Sequence, residues 1–139
     1  MKIKLLFLIV LFSSITIAQN KTSWEEVDKL KFDLTEKTRR STLPTEYKLY
    51  KFDYNSFVQK LINVPQRDTF RGVSDVIVSL PNPNGDLVAY RILEASTFEP
   101  ALQERFSEIR SFVGQGVKNA ADIVRFSISP YNGISAITR

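Results

Sequence analysis

The groups that usually move protons or hold metals are scarce in this 139-residue chain, which contains no histidine and no cysteine. A zinc-binding HExxH helix, a Ser-His-Asp triad and a Cys-His pair are therefore out of reach. Carboxylates remain, and two of them suitably spaced can hydrolyse a glycosidic bond. The candidates are Glu94, Glu99, Glu104, Glu108 and Asp122. Helical spacing would bring Glu104 and Glu108 together at i, i+4, where carboxylates ordinarily do no more than solvate a helix face. Gly114-Gln115-Gly116 lacks the later glycine and the Lys-Ser/Thr of a phosphate loop and reads as a bend at a strand end. The expectation is a chain with no catalytic, cofactor-binding or metal-ligating residues of its own.

The ends and the charge narrow the class further. Lys2 and Lys4 precede an apolar run from Leu5 to Phe12, and small residues follow up to Ala18. That is the layout of a secretory signal over residues 1–18, cleaved between Ala18 and Gln19. Ser13 and Ser14 break the run well short of the about 20 apolar residues that span a bilayer. The expected mature chain is secreted or periplasmic, of bacterial source, with no stable membrane anchor. In that setting the Asn20-Lys21-Thr22 sequon carries little meaning. The net charge is +4, and two of those positive charges leave with the leader. In the mature chain only Arg39-Arg40 are adjacent, and no basic stripe is interleaved with aromatics, so nucleic-acid binding is not expected. Without disulfides the stability must come from the core, for which ten Phe, five Tyr and one Trp are available.

The elements follow from local patterns. Residues 19–42 read as a polar leader and linker. Ser23-Trp24-Glu25-Glu26 has capping-box form, and Trp24, Val27, Leu30 and Leu34 recur at helical spacing, which a short amphipathic helix or a partly ordered leader would both satisfy. Residues 35–42 are charged and threonine-rich, and the folded domain is expected over 43–139. There a strand ends near Phe52, and Asp53 caps a helix carrying Phe57, Leu61, Ile62 and Val64 that Pro65 stops. Residues 73–80 and 87–93 form a hairpin around Pro81-Asn82-Pro83-Asn84-Gly85-Asp86. Glu99-Pro100 opens a short helix with Leu102 and Phe106 one turn apart, and a strand follows from Ile109. Residues 122–129 and 134–137 make a second hairpin across Pro130-Tyr131-Asn132-Gly133. The fold class is α+β, mainly antiparallel sheet with two short helices.

In this order the pieces resemble the N-terminal propeptide-type region of secreted, zinc-dependent, reprolysin-like metallopeptidases of flavobacterial type. The resemblance runs over about residues 43–139. It rests on Leu43-Pro44 with Tyr47 and Tyr50, Leu80-Pro81 leading to Gly85, and residues 94–100 (EASTFEP) with Leu102. It continues through 106–114 (FSEIRSFVG) and on to Ile123, Arg125, Ser127 and Gly133. Ser107 stands where such proteins carry proline, and the sequence ends at Arg139, ahead of the catalytic domain that the resemblance implies. It implies a non-catalytic region that assists folding or latency of that domain, its partner in cis. With no cysteine to place a thiolate on zinc, latency would come from a carboxylate ligand or from steric cover of the cleft. A free-standing secreted protein- or glycan-binding module is the competing class, with Tyr50, Tyr54, Tyr90 and Tyr131 as contacts. Strand tyrosines are more often half-buried sheet residues. A small structural domain without a partner is a third possibility.

Overall fold

The computed structural model describes residues 22–28 and 45–139. The expected cleavage site at Ala18-Gln19, the linker over 35–42 and Leu43-Pro44 lie outside the described residues. The chain runs β1 (Trp24–Val27), β2 (Leu49–Phe52), α1 (Tyr54–Lys60), β3 (Ile77–Pro81), β4 (Leu87–Glu94), α2 (Pro100–Arg105), β5 (Arg110–Gly116), β6 (Ile123–Ser129) and β7 (Gly133–Thr138). Strands β3 to β7 form one antiparallel sheet in chain order, and β1 pairs with β2 in a separate ribbon. The fold is thus α+β and mainly antiparallel sheet, with two short helices among the described residues. None of those helices is long and apolar enough to cross a membrane.

Alternation along each strand sends one set of side chains to a common inner face. Val78 lies opposite Tyr90, Ile92 opposite Gly114, Phe112 opposite Phe126, and Ile128 opposite Ile134. Phe57, Leu61 and Val64 come down on this face from α1 and the turn after it, and all belong to the buried core. The ribbon completes the cover through a run of ring contacts. Trp24 stacks on Phe52 at 4.4 Å, Phe52 meets Phe57 at 5.2 Å, Phe57 meets Phe126 at 5.9 Å, and Phe126 stacks on Phe112 at 4.9 Å. Helix and ribbon are therefore joined to the sheet by aromatic edges and faces, a geometry favourable beyond the area it buries.

The start of α1 is set as its sequence suggests, with Asp53 Oδ1 accepting the Ser56 N–H at 3.0 Å. The helix ends at Lys60, before Pro65 is reached, and Ile62 is left exposed. The first turn of the sheet differs from a two-residue reversal. Gly85 alone takes a positive φ there (96°), and Asn82 closes the loop by accepting the Asp86 N–H on Oδ1 at 2.8 Å. At the second hairpin Gly133 (φ 68°) supplies the reversal, and Ser129 Oγ accepts the Asn132 N–H.

Two expectations are corrected. Residues 24–27 form a strand where the capping-box pattern predicts a helix, because pairing with β2 and stacking on Phe52 outweigh a weak local propensity. The ribbon packs against the buried core through Trp24 and Phe52. Gly114 also has a different role from a bend. It lies inside a regular strand, and a Cβ there would come within 2.5 Å of Ile92 Cδ1 and 2.8 Å of Val124 Cγ1. Its missing side chain lets two fully buried residues meet across β5.

Phe57→Ala should cost roughly 3–5 kcal/mol of unfolding free energy through the cavity it leaves. Gly114→Ala should cost about 1–3 kcal/mol by overpacking. Urea titration of both variants against the parent checks the pair, with an unchanged midpoint for Gly114→Ala contradicting the close-packing account.

Candidate functional site

The five candidate carboxylates do not converge. Glu94 ends β4 on the inner face and is 7% exposed. Arg110, at the start of β5, grips it with two parallel bonds, Nε to Oε1 at 2.9 Å and Nη2 to Oε2 at 2.6 Å. The Arg110 guanidinium also lies 4.9 Å from the Phe112 ring centroid. The Glu94 backbone is equally engaged, its N–H donating to Pro65 O and its C=O accepting from the Arg67 N–H. Both carboxylate oxygens and both main-chain groups are thus committed to holding β4, β5 and the segment after α1 together.

The remaining acids lie on the surface. Glu99 occupies the N-cap position of α2 without a side-chain capping bond. Glu104 is on that helix, but the helix stops at Arg105 and Glu108 falls in the turn beyond it. The expected i, i+4 face for Glu104 and Glu108 is therefore absent, because the segment is too short to carry it. Leu102 and Phe106 are likewise partly exposed on this helix, which buries no residue. Asp122 accepts from Asn119 Nδ2 at 2.8 Å, in the loop between β5 and β6. No group of three or more metal-capable acids is present among the described residues.

The tyrosines divide in the same way. Tyr50 donates to Gly85 O at 3.3 Å and meets the Trp24 ring edge-on, tying the ribbon to the β3–β4 turn. Tyr54 packs edge-on against Phe52, and Tyr90 is buried in the core. Burial, and after it the negative charge of Asp122, hold the Tyr90 phenol above its ordinary ionisation range. Tyr131, in the β6–β7 turn, is 76% exposed and faces solvent.

What the fold does assemble is a cleft of about 500 Å³ between β7, the approach to β2 and the β3–β4 turn. Ile134, Ala136 and Thr138 line it from β7, Glu46, Tyr47, Lys48 and Tyr50 from the ribbon side, and Leu80 to Pro83 from the turn. Trp24 forms part of the wall while its Nε1–H donates to Ser79 O at 2.8 Å. The charge at the rim is partly neutralised, Lys48 lying 3.5 Å from Glu26. The cleft combines an aromatic and aliphatic wall with polar and charged groups, among them Glu46, Lys48, Asn82 and Thr138. Its β7 side is absent from the candidates read in the sequence. The available signal was Gly133 to Thr138, a β-prone stretch with neither a charge nor a proline. Comparison with known proteins returns no matching family model, no matching curated protein and no matching solved structure.

Removing the Glu94 carboxylate should leave Arg110 without its partner inside the fold. Glu94→Ala should lower stability by about 3 kcal/mol, whereas Glu104→Gln and Glu108→Gln should each stay within about 0.5 kcal/mol. Thermal denaturation of the three variants checks this ordering. Tyr90 gives a pH signature. Its folded-state pKa is raised, so its contribution is fully present below about pH 10, where the unfolded tyrosine ionises, and is lost as pH rises through the folded value. Unfolding free energy measured across this alkaline range should fall, and Tyr90→Phe should remove that part of the fall.

Proposed function

We propose that this chain is the non-catalytic, propeptide-like N-terminal region of an exported zinc metallopeptidase precursor, working by contact with a catalytic domain. The observation that carries the reading is the distribution of chemistry. The one buried carboxylate among the candidates is locked to Arg110, the others do not converge, and a recess of about 500 Å³ with a largely aromatic and aliphatic wall lies beside β7. The sequence resemblance supplies the identity of the partner, and the apolar leader supplies export. Latency under this reading comes from steric cover of the peptidase by the sheet and its loops, since the chain offers no thiol and its one buried candidate carboxylate is held by Arg110.

A free-standing exported binding module is the second reading, favoured by Tyr131 and Ile137. Both are 76% exposed, and both lie on β7 or the turn that leads into it. The two readings separate in the source DNA. The first expects an open frame beyond the Arg139 codon that encodes HExxHxxGxxH, and it expects the purified chain, added in trans to that catalytic domain, to lower peptide hydrolysis in proportion to its concentration. A stop codon at that point, or undiminished hydrolysis at saturating chain, overturns it.

A further inference from the structure

The two edges of the five-stranded sheet are treated unequally. Along β7, Arg139 and Ile123 exchange both backbone bonds, at 2.9 and 3.1 Å. Antiparallel pairing alternates from there, so Ile137, Ser135 and Gly133 bond to β6. The N–H and C=O groups of Ile134, Ala136 and Thr138 therefore point away from the sheet, to a side where no described strand lies. On β3 the same alternation, counted from the Ile92 N–H to Val76 O bond, turns Ile77, Ser79 and Pro81 outward. That edge is guarded, because Trp24 caps the Ser79 carbonyl and Pro81 has no N–H to offer. Among the described residues no comparable device stands on β7, whose side chains are all uncharged.

We propose that β7 is a strand-addition site, occupied by an extended, uncharged segment of a partner polypeptide lying in the cleft beside it. This rests on the reading that the chain works through contact with another protein, and it names the surface and the form of that contact. A segment paired with Ile134, Ala136 and Thr138 exchanges main-chain bonds with all three. Its alternate side chains then fall on the inner side of the sheet, the side on which the cleft opens. There they meet Trp24, Tyr50 and Leu80, which suits aliphatic, β-branched or small aromatic residues at every second position. Of the two charged residues that line the cleft, Lys48 is already matched by Glu26 and Glu46 precedes β2, so the alternate positions meet the apolar wall of Trp24, Tyr50 and Leu80.

Amide hydrogen exchange of the purified chain followed by NMR is the first test. Ile134, Ala136 and Thr138 should exchange at least about tenfold faster than Ser135, Ile137 and Arg139. Equal protection of the two sets would mean that the edge is already covered, and would overturn the proposal. The second test selects phage-displayed random peptides on the same chain. Selected peptides should alternate apolar residues, shift the amides of Ile134, Ala136 and Thr138, and lose at least about tenfold in affinity with Ala136→Pro. That substitution removes a donor which β6 does not use. Peptides that bind elsewhere and ignore Ala136→Pro would overturn the β7 site while leaving the contact-module reading intact. Failure to select any binder would count against both.

Discussion

A five-stranded sheet has to be kept dry on one face by a helix of seven residues and a ribbon with four-residue strands. Everything else in the molecule depends on that cover, and the cover depends on rings. Trp24 stacks on Phe52, Phe52 reaches Phe57, and Phe57 stands over Phe126. Aliphatic side chains on elements this short would bury too little surface, whereas each ring removes a large area from water. Trp24 has a second part in the arrangement, since its indole N–H satisfies a carbonyl on the β3 edge that would otherwise face outward unpaired.

The sheet below answers the cover with economies of space. Gly114 lets Ile92 and Val124 close on one another, and Gly116 leaves room for the Asn119 backbone in the adjoining turn. At the opposite end of β5, Arg110 and Glu94 take the place of further apolar packing with a paired, hydrogen-bonded charge. Such a pair contributes more to the register of β4 against β5 than to net stability, because desolvation offsets much of its attraction. The consequence is that Glu94, the one buried carboxylate among the candidates, is committed to holding two strands together. Among the described residues, the outward-facing features are the β7 edge and the cleft beside it.

Much of this frame was legible in the residues. Asp53 before an apolar helix, Pro100 at a first turn, and glycines 85 and 133 at reversals each follow from a local backbone requirement, and each stands where it was expected. The errors came where distant partners decide. Ser23 to Glu26 has the form of a helix start, yet it pairs with residues about twenty-five positions away and becomes a strand. Glu104 and Glu108 have helical spacing, but the helix ends between them. The cleft was hidden because it joins β7 to the β3–β4 turn, strands at opposite ends of the sheet order, and only closure of the fold brings them together.

The central physical claim is that the ribbon and the sheet form one cooperative unit held by the aromatic cover. Trp24 is the only tryptophan in the chain and sits in that cover, so its fluorescence reports the ribbon alone. Far-ultraviolet circular dichroism reports the sheet. Urea unfolding followed by both signals should give coincident transitions with one midpoint, as two-state behaviour requires. A Trp24 transition completed at lower urea, with the sheet signal still at its native value, would mean that the ribbon is an appendage and would contradict the account.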